Sequence, residues 1–126
     1  MFEKKIKKVL LIEDDPAMLK ILQSHFPGEN TEFSIAILPD EGIRKVGESL
    51  PDLVILDMML PGKSGLEILN TIRANSKTKK IPVLVLSIVS EPNTIAKAKK
   101  LGIIDYIIKG TISLDELEKR IKDALQ

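Results

Sequence analysis

Three carboxylates, a hydroxyl and an ammonium stand where apolar runs of this chain stop. Val9 to Ile12 runs into Glu13-Asp14-Asp15, Leu53 to Leu56 stops at Asp57, Val83 to Leu86 stops at Ser87, and Ile103 to Ile108 ends at Lys109. If these runs are strands of one parallel sheet, their carboxyl ends share an edge, and that edge is where α/β proteins bind ligands. Glu13, Asp14 and Asp57 gathered there would repel one another and raise each other's pKa unless a cation neutralised them. An oxygen-only ligand set with no His or Cys selects a hard ion, Mg²⁺ foremost, which takes one or two carboxylates, keeps waters and binds substrate phosphate. Across from it, Lys109 and Ser87 would hold phosphate oxygens as point charge and donor. An aspartate can itself be a nucleophile that forms an aspartyl phosphate. The constellation reads as phosphoryl transfer onto Asp57, with charge neutralised by Mg²⁺ and Lys109.

Five strand–helix pairs are predicted to position these groups. Strand one, Val9 to Ile12, is followed by a helix that Asp15 caps and Pro16 opens. Met18, Ile21, Leu22 and Phe26 give that helix an apolar face, and Pro27-Gly28 stops it. Phe33 to Leu38 is strand two. Pro39-Asp40 opens a second helix with Ile43, Val46 and Leu50 on its buried stripe, ended by Pro51. Leu53 to Leu56 is strand three. Ser64 and Glu67 match a capping box ahead of a third helix marked by Leu66, Leu69 and Ile72. After the polar connection from Asn75 to Lys80 come strand four at Val83 to Leu86 and a short fourth helix started by Ser90-Glu91-Pro92 and closed by Gly102. Strand five spans Ile103 to Ile108. Ser113 to Glu116 is a second capping box, before a helix carrying Leu117, Ile121 and Leu125. Short strands rich in Val, Ile and Leu, alternating with helices, mark a parallel sheet covered on both faces.

Bulk properties narrow the classes. A chain of 126 residues is read as one domain, 1–126. Its formal net charge of +1 favours neither nucleic acid nor a membrane surface. With no cysteine, disulfides and thiolate metal sites are excluded. No apolar run reaches the roughly 18 residues a membrane span needs, and the start of the chain has no signal-peptide pattern. The expected location is the cytoplasm. The chain stops just after the fifth helix, so the expectation is a stand-alone domain or one cut from a larger protein, with no room for a second domain.

Taken together, Glu13-Asp14, Asp57 with Met59, Pro61 and Gly65 around it, Ser87, Tyr106 and Lys109 resemble the response regulator receiver domain of two-component signalling, over nearly the whole chain. The resemblance implies a flavodoxin-like (βα)5 three-layer sandwich with strand order 2-1-3-4-5. It implies Asp57 as phosphoacceptor, Asp14, Asp57 and the Met59 backbone carbonyl as Mg²⁺ ligands, and Glu13 contributing through water. Lys109 would pair with the phosphate. Ser87 would bond a phosphate oxygen and act as a switch together with Tyr106. The implied donor is a sensor histidine kinase or a histidine phosphotransfer protein. The implied target is a protein that meets the face built by helix four, strand five and helix five, without direct nucleic-acid binding. The family usually has Pro after the strand-five lysine, often in a cis peptide. Here Gly110 follows, and a non-proline cis bond costs about 2.5–4 kcal/mol, so the resemblance leaves this peptide's geometry open.

Two rivals share parts of this pattern. A flavodoxin would need a hydroxyl- and glycine-rich phosphate loop after strand one, where Glu13-Asp14-Asp15 stands. A Mg²⁺-dependent phosphatase with an Asp nucleophile would carry a second acid at position 59, which is Met59. Without a general acid–base group beside Asp57, turnover should be slow. The chain is therefore read as no enzyme beyond its own phosphorylation and slow dephosphorylation. His25 sits about 16 Å along helix one from the acidic edge and is read as a partly exposed bystander. Lys97, Lys99 and Lys100 complement a helix C-terminus or belong to a partner surface.

Overall fold

The computed structural model describes residues 5–25 and 30–126. Phe26 and the Pro27-Gly28 stop lie outside them. Five strands alternate with five helices: β1 (Lys7–Ile12), α1 (Pro16–His25), β2 (Thr31–Ala36), α2 (Pro39–Ser49), β3 (Leu53–Leu56), α3 (Gly65–Ala74), β4 (Val83–Ser87), α4 (Pro92–Lys100), β5 (Asp105–Ile108) and α5 (Leu114–Ala124). The strands form one parallel sheet in the order β2-β1-β3-β4-β5, as the resemblance implies.

Side chains alternate across the strands and divide the core in two. Leu10, Ile12, Val54, Leu56, Val83 and Val85 face α2, α3 and α4 through Val46, Ile68, Leu69, Ile72 and Ala98. Val9, Leu11, Leu53, Ile55, Leu84, Leu86 and Ile107 face the other way, onto Leu22 of α1 and Leu117 and Ile121 of α5. Burial on both faces explains why the central strands carry no polar alternation.

Local signals set the helix starts. Asp15 Oδ1 accepts from the Ala17 N–H at 3.0 Å, Ser64 Oγ from Glu67 N–H at 3.3 Å, and Ser113 Oγ from Glu116 N–H at 3.1 Å. Several boundaries differ from the sequence reading: β1 and β2 each begin two residues earlier, at Lys7 and Thr31. β2 stops at Ala36, and Ile37 and Leu38 are half exposed. β5 starts at Asp105, two residues late, because Ile103 packs against the helical layer instead of extending the ladder. Leu50 does not lie on the buried stripe of α2. It takes the left-handed conformation (φ 46°) that ends the helix, its N–H bonds Val46 O, and half its surface is exposed. Chain reversal toward Pro51 outweighs apolar periodicity at that position.

Gly65 sets how closely α3 approaches the β3–α3 loop. A Cβ there would lie 2.5 Å from the Met58 Cα and 3.0 Å from the Asp57 carbonyl oxygen. These are backbone atoms that cannot step aside. Gly65→Ala is expected to destabilise the fold by about 1–3 kcal/mol, seen as a lower urea midpoint with an unchanged m-value. An unchanged midpoint would mean that α3 is not seated this tightly.

Candidate functional site

The backbone ladder itself carries the polar residues to one edge. Just beyond the strands, Glu13 N–H donates to Ala36 O at 3.0 Å, Asp57 N–H to Ile12 O at 3.0 Å, and Lys109 N–H to Ser87 O at 2.9 Å. With β1 beside β3 and β4 beside β5, these bonds align the strand ends, and the side chains converge above them.

Lys109 is the hub. Its ammonium lies 2.7 Å from Glu13 Oε1 and 3.1 Å from Asp57 Oδ2. Glu13 and Asp57 are almost fully buried, whereas Asp14 is exposed at the rim. Glu13 Oε2 accepts the Asp14 and Asp15 N–H groups at 3.1 and 3.2 Å. Asp57 Oδ1 accepts the Met59 N–H at 3.0 Å. One carboxylate oxygen from each of Glu13, Asp14 and Asp57 lies within 4.8 Å of the others. Opposed ligands of an octahedral Mg²⁺ stand about 4 Å apart, so this all-oxygen set fits such an ion. Met59 and Asp14 line the same hollow beside Pro61 and Gly62.

Electrostatics follow from the crowding. Burial, and after it the nearness of Asp57, pushes the Glu13 carboxyl up to about 7, against the pull of Lys109. For Asp57, burial pushes upward, but hydrogen bonds with Glu13, the Met59 N–H, Ser87 and Lys109 prevail and hold it below its ordinary value. The Lys109 ammonium is partly desolvated, yet its contacts with Glu13 and Asp57 raise its pKa.

Ser87 and Tyr106 are joined through one intervening residue. Ser87 is fully buried and its Oγ accepts the Val89 N–H at 3.2 Å. The Tyr106 hydroxyl donates to the Val89 carbonyl at 2.7 Å. Sequence reasoning did not find Val89, because only its backbone takes part and backbone roles leave no residue signature. Asp15, left out of the metal set, stays outside it, though its Oδ2 stands 3.8 Å from Lys109 Nζ. Met58 is buried and packs in the core, while the Met59 side chain is half exposed. His25 is exposed in the last turn of α1, away from this edge. Every peptide bond among the described residues is trans, and Gly110 adopts φ 83°. A proline, fixed near −65°, could not stand there in this loop conformation.

The sequence matches the family model of the response regulator receiver domain over residues 9–122. It is 32% identical over 121 residues to the phosphate regulon transcriptional regulatory protein PhoB of Rhizobium meliloti, covering 96% of this chain and 53% of that protein. Thus the chain spans about half the length of the curated relatives it matches. Among solved structures, a CheY-like receiver domain protein from Methanospirillum hungatei superposes with a TM-score of 0.84 at 23% identity, covering 96% and 94% of the two chains. The Mn²⁺-bound form of response regulator Rcp1 superposes with a TM-score of 0.78 at 28% identity, covering 93% and 90%. This chain belongs to the response regulator receiver family of two-component signalling, whose general function is a switch driven by aspartyl phosphorylation. No helix among the described residues is long and apolar enough to cross a membrane.

The raised Glu13 pKa has a consequence for stability. Between the unfolded value of 4.5 and the folded value of about 7, the folded state holds the extra proton. Stability from this group is complete below 4.5 and is lost as pH rises through 7. In metal-free buffer, the urea midpoint of Glu13→Gln should gain on wild type between pH 5 and pH 8. A difference that stays constant over that interval would remove Glu13 as the titrating group.

Proposed function

We propose that Asp57 accepts a phosphoryl group from a phosphohistidine in a Mg²⁺-dependent step, within a single receiver domain spanning 1–126. The observation that carries this reading is the Asp57 carboxylate itself. It is buried, bonded to Lys109 at 3.1 Å, and gathered with two further carboxylates at a strand-end crevice. Asp57 attacks phosphorus, the bond to the donor nitrogen breaks, and that nitrogen leaves with the electron pair. Lys109 then faces a phosphoryl oxygen in place of part of its present contact with Glu13 and Asp57, and Ser87 Oγ donates to another. Asp14, Asp57 and the Met59 carbonyl would hold Mg²⁺, with Glu13 acting through water, and the ion would neutralise charge developing on the phosphoryl oxygens.

The readout starts at the same hydroxyl. When Ser87 turns toward phosphate, it gives up the Val89 N–H, and the Val89 carbonyl that holds Tyr106 is freed to move. Tyr106 then biases the face of α4, β5 and α5 toward a protein target. The donor is a sensor histidine kinase or a histidine phosphotransfer protein, and the cytoplasm is the working compartment. With no acid–base group at position 59, loss of phosphate is slow and the protein acts on no other substrate.

Incubation with Mg²⁺ and acetyl phosphate should add one phosphate, seen by mass spectrometry, and Asp57→Asn should take none. Labelling that persists in Asp57→Asn, or that survives EDTA, contradicts the assignment. Ser87→Ala should still be labelled on Asp57. It should lose most of the shift that labelling produces at the Tyr106 amide in NMR spectra, and a full shift in that variant would break the proposed link through Val89.

A further inference from the structure

At the opposite edge of the sheet from Asp57, charge is distributed very differently. Residues 73–104 carry seven of the chain's 19 Lys and Arg and a single acid, Glu91, a net of +6. The remaining 12 cations face 17 acids. None of those seven cations forms an ion pair among the described residues, although six others do.

The fold brings these cations around an open groove of about 670 Å³. Arg73, Lys79, Lys80 and Lys100 stand on its walls and Pro82, Leu101 and Ile104 on its floor, with no acid among the lining residues. Arg73 builds the wall. Its guanidinium donates to Leu101 O at 2.7 Å, Ile81 O at 2.9 Å and Gly102 O at 3.1 Å, tying α3 to the turns that lead into β4 and β5. The three lysines are exposed, and Ile104 keeps 49% of its surface in water. Helix-dipole compensation accounts for Lys97, Lys99 and Lys100 at the end of α4. It does not account for Lys77, Lys79 and Lys80 in the loop before β4.

We propose that this groove is a docking site for an acidic segment of a partner protein that carries an apolar anchor residue. The three unpaired lysines supply long-range attraction and register, and the aliphatic floor supplies a seat for one leucine-sized side chain. A small free anion would meet mainly solvated ammonium groups, because three of the five N–H donors of the one guanidinium are held by carbonyls. Single-stranded nucleic acid would want aromatic platforms, and the lining has none. The proposal is independent of the phosphoryl chemistry, which lies at the far end of the strands.

The probe is a fluorescein-labelled peptide of glutamates interrupted by two leucines, titrated into the full chain and followed by anisotropy and amide NMR. Binding should weaken steeply with salt, and shifts should cluster at residues 77–82 and 99–104. Combined Lys79→Glu, Lys80→Glu and Lys100→Glu should weaken binding about tenfold or more, while labelling by acetyl phosphate stays at the wild-type rate and confirms folding. Lys119→Glu with Lys122→Glu, on α5, should bind as wild type. No binding at low salt, equal binding by the triple variant, or shifts elsewhere would overturn the proposal. So would a short oligothymidylate of matched charge that binds this groove more tightly than the peptide.

Discussion

An ammonium wedged between two buried carboxylates is the contact on which the rest of this structure turns. Lys109 reaches from the end of β5 to Glu13 at the end of β1 and Asp57 at the end of β3. Two carboxylates in so dry a setting could not both ionise without a cation beside them. One lysine offsets only part of that charge, so Asp57 keeps its negative charge while the Glu13 carboxyl is pushed up to about 7. One ammonium against three clustered carboxylates leaves this edge net negative, and an all-oxygen set of that kind suits a hard divalent ion.

The sheet order turns this local electrostatics into a site. Because β1 pairs with β3, the Asp57 N–H can bond Ile12 O and set its side chain beside Glu13. Because β4 pairs with β5, Lys109 N–H bonds Ser87 O. The same placement puts Ser87 and Tyr106 at the two ends of one residue, with Val89 donating to the first and accepting from the second. The two side chains are thus linked by hydrogen bonds to the two backbone groups of one residue.

The two edges of the sheet carry opposite charge. The carboxyl edge gathers acids, and the amino edge near β4 and β5 gathers cations without pairing them. A net charge of +1 hides this separation, because the composition sums over a dipolar distribution.

Strand–helix alternation, the Asp15, Ser64 and Ser113 caps, and the acidic, hydroxyl and ammonium residues at strand ends were all legible in the sequence. Each rests on local chemistry: apolar runs buried on both faces, a side-chain oxygen near free N–H groups, a polar residue where a run stops. Boundaries decided by competition were not legible. Leu50 keeps an apolar identity but serves as the left-handed helix end, and β5 begins late because Ile103 packs into the helical layer. The strand order was reached by resemblance and not by periodicity, because nothing within a strand names its neighbour. The Val89 relay and the convergence of Arg73, Lys79, Lys80 and Lys100 on one groove were decided by the tertiary structure alone. They depend on backbone atoms and on distances between residues far apart in the chain, and those quantities exist only once the sheet has closed on its two layers of helices.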